Sequence, residues 1–409
     1  MSIPDALDRL LDPVEATTII RTHTTVLPTE RVRLAELAGR VLMEDVISDA
    51  DQPPFPAATM DGYAVIAADT IPVRRIVGDQ FAGTIEAFHV ERGTAAYITT
   101  GAPLPPGADT VVPIERTTET AAGVRIGEMP RAGQNIRPVG SDLTRGDRVL
   151  AAGTVLTPAA VGLLASLGKT DGLTTRRPRV SVLATGDELV EPGQPLGPGQ
   201  IHDSNRFALV TALAPLGVTV SYAGLAPDTD DAQRAFLIER IADSDVVITS
   251  GGVSMGRKDL IKGLLIELAT VHFRQVRMRP GKPFTFATAG PTGKTLLFGL
   301  PGNPVSGLVG FEVFVRPALL AMQGYQQSDR PHARVRLIHD VTPIDRIDYM
   351  RVALRRADDG VLEAASTGPQ QSSRLASFIG ADALAIIPSR DMPYAAGEMV
   401  DALLLGLVA

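Results

Sequence analysis

The sequence predicts a multidomain α/β protein: a doubly wound α/β central domain, an N-terminal helical part, a small β-rich domain and a C-terminal β-barrel-like domain. Three observations carry this expectation. At 409 residues the chain is longer than one hydrophobic core ordinarily organises. Between residues 179 and 323, short apolar runs alternate with segments of helical period, the signature of strands joined by crossover helices. On either side the texture turns Pro- and Gly-rich, with short β-like runs.

Taken in order, residues 14–24 and 34–41 carry apolar residues at helical spacing, interrupted by Pro28 and Gly39. From Asp51 the runs 95–99 and 110–113 predict the small β-rich domain. Thr157-Pro158 opens a helix that Gly168 closes: a cap, a proline in the first turn and a glycine stop. Beyond the basic linker 176–179, strands are expected at 179–184, 219–225, 245–249 and 295–299. Helices are expected at 205–216, 231–242, 259–268 and 305–322, and extended stretches at 272–277 and 284–287. The sheet they imply is mostly parallel. The runs 333–339, 350–354 and 383–388 predict a closing barrel or sandwich. The expected boundaries are 1–50 with 141–177 for the helical part, then 51–140, 178–328 and 329–409.

Composition narrows the chemistry. Zero cysteines exclude disulfides, thiolate metal sites and cysteine nucleophiles. The six histidines show no metal-ligand spacing, so any metal is expected to be a hard cation on carboxylate oxygens. A net charge of −7, no tryptophan and 4% aromatic residues argue against nucleic acid or a membrane surface as partner. No uninterrupted apolar run is long enough to span a bilayer, and residues 1–11 lack a basic start and an apolar signal core. A cytoplasmic protein is expected.

Ligands of an open α/β sheet bind beyond the carboxyl ends of its strands. The loops there should be Thr185-Gly186-Asp187-Glu188, Pro227-Asp228, Ser250-Gly251-Gly252-Val253-Ser254 followed by Asp259, Arg279-Pro280-Gly281-Lys282-Pro283, and Pro301-Gly302-Asn303-Pro304-Val305-Ser306. Each loop has an ordinary structural reading as a turn or helix start. The glycine pair at 251–252 lacks the P-loop lysine and the Rossmann spacing. Jointly the loops set Asp187, Glu188, Asp228 and Asp259 beside Arg279, Lys282 and glycine backbone, a pattern suited to Mg2+ and phosphate.

Seven segments together resemble one family over essentially the whole chain: MDGYA at 60–64, TGAPLPPGADTVV at 100–112, TGDEL at 185–189, GQIHDSN at 199–205, TSGGVSMG at 249–256, RPGKP at 279–283 and LPGNPVS at 300–306. They are similar to the MoeA-type molybdopterin molybdenumtransferases, which include the gephyrin C-terminal domain and plant counterparts. The resemblance implies insertion of molybdate into adenylylated molybdopterin, with Mg2+-dependent release of AMP. It implies that Asp228, Ser254 and Asp259 contact metal and pyrophosphate, Asp228 and Asp259 being the metal ligands, with Asp187 and Glu188 close by. Ser306 would face a phosphate. Arg279, Lys282 and Pro283 would bind oxyanion, together with Arg351, Ser372 and Ser373. Asp61 would reach the cleft from the partner subunit of a homodimer. A molybdopterin adenylyltransferase is the expected substrate donor. Arg279 departs from the lysine common in the family, and a planar guanidinium meets a tetrahedral anion differently from an ammonium. A non-catalytic pterin carrier and an adenylyltransferase are the alternative readings.

Overall fold

A computed structural model describes residues 7, 9–128, 130–226, 230–251, 260–290 and 293–406. The chain divides into two compact units, Met1–Met43 with Val155–Thr157 and Asp171–Ala409, and Glu44–Thr154 with Pro158–Thr170.

In the first unit, helix α1 (Pro13–His23) begins where sequence chemistry puts it. Asp12 caps the Val14 N–H, Pro13 sits in the first turn, and Ala16 and Ile20 are buried. The helical spacing at 34–41 is misleading. Only a 3-10 turn forms, at Leu34–Glu36, after a strand (Thr29–Arg33) that pairs with Asp171–Thr175. Gly39, at φ +79°, takes the chain into a left-handed turn, so buried Leu37, Val41 and Leu42 come from an irregular segment.

The central sheet contains β1 (Arg179–Ala184), β2 (Thr219–Leu225), β3 (Val246–Ser250), β4 (Ala269–Gln275), β6 (Pro283–Ala289) and β7 (Thr295–Leu300), in the order β2-β1-β3-β7-β6-β4. The first four in that order run parallel, and β6 pairs antiparallel with both β7 and β4, so it alone is reversed and the sheet is mixed. Side chains alternate between two helical layers, as strand period requires. Val180, Val182, Val246, Ile248, Leu296 and Phe298 pack with α1, α2 (Asn205–Leu213), α5 (Pro304–Gly310) and α6 (Arg316–Met322). Leu183, Val247 and Leu297 face α3 (Asp230–Asp243) and α4 (Leu260–Leu268). A π-helical turn, Phe311–Val315, joins α5 to α6. The run Pro304–Met322 is apolar enough to cross a membrane by composition, with mean hydropathy 1.6, but 72% of it is buried in this core. Its hydrophobicity is that of a central helix.

The chain then closes a five-stranded barrel from β8 (His332–Leu337), β9 (Ile347–Arg356), β10 (Leu362–Ser366), β11 (Ala383–Ile387) and β12 (Met399–Leu404). The circuit runs β9-β10-β8-β12-β11 and back to β9 around Val335, Leu337, Val352, Ala385 and Val400. The two-residue β5 (Met278–Arg279) adds to β9 in parallel, with Arg279 opposite Asp348.

The second unit is built on a six-stranded sheet that contains Gly62–Val65, Thr94–Ile98 and Thr110–Pro113. Its helix Pro158–Ser166 is followed by Gly168 at φ +72°, as the glycine stop predicts. Inside the unit, Arg74 is fully buried and donates to the carbonyls of Ile66, Asp69 and Ile71.

Candidate functional site

Successive crossovers diverge around β1: the chain first moves to β2 on one side, then to β3 on the other. Such a switch point opens a crevice at the strand ends, because the two connecting loops leave in opposite directions. Here it lies between Thr185 and Gly251. The Thr185 N–H donates to the Ser250 carbonyl (3.0 Å) and the Gly251 N–H to the Leu300 carbonyl (3.0 Å), so the ladder bonding runs on into the loops. Gly251 sits at φ +86°, and a Cβ there would lie 2.5 Å from the Thr185 carbonyl oxygen. Only glycine fits.

Asn205, the first residue of α2, ties three of these loops together. Its Nδ2 donates to Ser250 Oγ (2.8 Å) and to the Gly302 carbonyl (2.7 Å). Its Oδ1 is buried with no hydrogen-bond partner among the described residues. Asp187 and Glu188 are exposed, and the Glu188 carboxylate folds back over Gly186.

The 279–283 loop reaches the same rim because β6 runs antiparallel to β7 and so starts where β7 ends. Pro283 is half-buried and Lys282 exposed; Gly281, at φ +103°, packs toward the Ser306 carbonyl. Ser306 is buried in α5, whose N-cap position is Asn303. Pro301 is buried beside it, whereas Asn303 is exposed.

The barrel contributes the second half. Arg351 on β9 is fully buried; its Nε donates to Ser377 Oγ (3.1 Å), while Nη1 and Nη2 have no partner among the described residues. Burial pulls its pKa down to about 10; Asp348 opposes that shift and Arg279 adds to it. Gln370 holds the Arg351 backbone from both sides, accepting its N–H (2.9 Å) and donating to its carbonyl (3.2 Å). Two residues on, the Ser372 carbonyl accepts the Val305 N–H (3.1 Å). The segment 370–377 therefore links Arg351 to the start of α5. Arg279 is ion-paired with Asp348, which raises the guanidinium's pKa.

Thus Thr185, Gly186, Ser250, Gly251, Pro301, Asn303, Ser306, Arg279, Lys282, Pro283, Arg351 and Ser372 all belong to the first unit. Asp61 belongs to the second, where Thr100 donates to it from N–H (2.6 Å) and Oγ1 (2.8 Å) and holds its carboxyl below the ordinary range. Asp228, Gly252, Ser254 and Asp259 lie outside the described residues. Sequence reading had Asn205 only as the last residue of the GQIHDSN segment and gave no role to Asp348, Gln370 or Ser377. For Asp348 a signal existed: Asp348 and Arg351 interrupt the mainly apolar stretch 347–354, and charges are rarely buried without a task.

Models of the MoeA N-terminal region (domain I and II), the Probable molybdopterin binding domain and the MoeA C-terminal region (domain IV) match residues 2–168, 181–321 and 335–405. Over 378 residues the chain is 37% identical to a molybdopterin molybdenumtransferase of Haemophilus influenzae, covering 91% of this chain and 93% of that one. The chain belongs to the MoeA family. It is 38% identical over 384 residues to molybdopterin molybdenumtransferase 2 of Mycobacterium tuberculosis, covering 90% of this chain and 93% of that one. A solved molybdopterin biosynthesis MoeA protein from Pyrococcus horikosii superposes with a TM-score of 0.81 at 31% identity, over 97% of this chain and 99% of that one. The enzyme is a molybdopterin molybdenumtransferase of molybdenum cofactor biosynthesis, and its α/β domain is a molybdopterin-binding domain.

Proposed function

We propose that the enzyme inserts molybdate into adenylylated molybdopterin in a Mg2+-dependent reaction that releases AMP. The observation that carries this reading is Arg351: a buried guanidinium whose two terminal nitrogens have no partner among the described residues. Unpaired buried charge is unfavourable, and a tetrahedral oxyanion is the partner a guanidinium fork suits. Arg279, Lys282, Pro283 and Ser372 complete that anion site. Thr185, Gly186, Asp187, Glu188, Ser250, Gly251, Gly252, Ser254, Pro301, Asn303 and Ser306 take the pterin phosphate and nucleotide, supported by the crevice at the switch point.

Asp228 and Asp259 are the residues that would hold Mg2+, a hard cation that keeps several waters and needs only one or two carboxylates. When bound, the ion neutralises charge on the pyrophosphate oxygens. The chain's own residues bind, orient and shield. Arg351 and Arg279 hold the oxyanion, Lys282 adds charge at the exposed edge, and Asn205 keeps the strand-end loops in register. A molybdate oxygen or water attacks the pterin-side phosphorus, the new P–O bond replaces the anhydride P–O bond, and AMP leaves with the bridging oxygen, with no covalent enzyme intermediate.

The active unit in this reading is a homodimer in which Asp61 of one chain completes the rim of the other, with a molybdopterin adenylyltransferase delivering substrate in the cytoplasm. Two experiments test it. With adenylylated molybdopterin and Mg2+, AMP release must rise with added molybdate; molybdate-independent release, or pterin binding without release, refutes the reaction. Mixing inactive Asp61→Asn and Arg351→Met chains should restore about a quarter of wild-type activity through hybrid dimers. No recovery after subunit exchange refutes the shared site.

A further inference from the structure

One buried charge beside the anion site has no part in the reading above. Asp348 is 2% exposed and lies opposite Arg279 where β5 joins β9. It accepts from Arg279 Nη2, while its Oδ1 is buried without a partner among the described residues. Arg279 Nε is likewise buried and unpartnered. Three residues along β9, Arg351 senses both: the Asp348 carboxylate favours its charge and the Arg279 guanidinium opposes it. Two guanidiniums this near repel each other unless something negative stands between them or beside them.

Resting on the oxyanion reading, we propose that Asp348 is a positioning residue for it: the carboxylate grips Arg279 through one terminal nitrogen, leaves the Nε edge for the anion, and holds down the local positive charge. Arg279, Lys282 and Arg351 set against Asp348 leave a surplus of two positive charges, the complement of a tetrahedral dianion such as molybdate. The arrangement also gives a reason for arginine at 279. A planar fork held on one nitrogen still offers others in fixed directions, whereas a lysine ammonium paired to Asp348 is a single point charge largely neutralised by it.

The test is calorimetric titration of the full-length protein with sodium molybdate alone, with sulfate as competitor. Asp348→Asn should weaken molybdate binding about tenfold, because Arg279 is no longer fixed. In an Arg279→Met background the sign reverses: the carboxylate there is an unpaired charge beside the anion, so adding Asp348→Asn should tighten binding. A purely structural role predicts no such reversal. Wild-type affinity in Asp348→Asn, or weakening in both backgrounds, overturns the proposal. If Asp348→Asn loses the wild-type circular dichroism spectrum, Asp348→Glu takes its place, keeping the charge but shifting it by one methylene. Unaltered affinity there overturns the proposal equally. A wild-type protein that binds no molybdate refutes the oxyanion reading itself, which separates the two failures.

Discussion

Arg351→Met should make the protein more stable and useless for molybdate. Burial pulls the guanidinium's pKa down from the ordinary arginine range to about 10, a penalty of about 3 kcal/mol on its charged form. The sign follows from the direction. A base with a depressed folded pKa is penalised in the fold at every pH below about 10, and the penalty is relieved only as pH rises through 10 toward the ordinary arginine range. At pH 7 the whole of it is therefore present. Methionine removes that penalty and fills much of the space; it forfeits the bond to Ser377 Oγ, about 1 kcal/mol. Ser377 keeps its own bond to the Arg374 carbonyl (2.7 Å), so no new orphan is created there. The balance is a gain of about 1–2 kcal/mol, within the range seen when buried charges are replaced by apolar side chains. Urea unfolding at pH 7, with and without molybdate, provides the assay. The variant should show a higher midpoint without molybdate, and no further rise with it, whereas a bound ligand stabilises wild type by mass action. A variant less stable than wild type, or one still stabilised by molybdate, would show that Arg351 is neither a penalised charge nor the molybdate ligand.

Three other outcomes are expected. Gly251→Ala forces a left-handed φ on a residue whose Cβ would meet the Thr185 carbonyl at 2.5 Å, so it should destabilise by about 3 kcal/mol and weaken molybdopterin binding; an unchanged melting temperature would count against it. His272 is held down to about 4 by burial and by the His23 ring 3.9 Å away. The unfolded chain takes up that proton first, so stability present above pH 6.5 is lost as pH falls toward 4. The loss is about 2 kcal/mol after allowance for partial exposure, and His272→Gln should flatten the curve of urea midpoint against pH in that window. Phe284→Ala removes a fully buried ring tilted against Phe314 at 4.7 Å between centroids and should lower stability by about 3–5 kcal/mol, read from the urea midpoint.

Much of the central domain was legible because each element satisfies two demands at once. The run Arg179–Ala184 is apolar but for Arg179 and Ser181 and sits between two helical layers, and its short length with β-branched valines marks it as a buried strand. The helix at 304–322 combined a proline start with an apolar length that burial explains. Residues 34–41 failed because burial at helical spacing also arises when an irregular segment packs against a strand, and Leu37 does so against Gly172. Of the site, the loops were legible as loops. Direction was not: the basic loop reaches the rim only because β6 reverses, and short apolar runs carry no sign of polarity. Asp348 and Gln370 escaped because their significance is a partner 69 or 19 residues away, which spacing cannot reveal.

The pairing of Met278–Arg279 with Ile347–Asp348 is only two residues long, yet it stitches a loop of the α/β sheet onto a strand of the barrel. Neither body can then be swapped or expressed alone without breaking the Arg279–Asp348 pair. A fragment ending at residue 328 would keep its glycine loops and lose the carboxylate that holds Arg279, and a free barrel would keep Arg351 facing no companion. A crossover at the barrel boundary would part Arg279 from Asp348, and the pair survives it only where the incoming segment brings the missing partner.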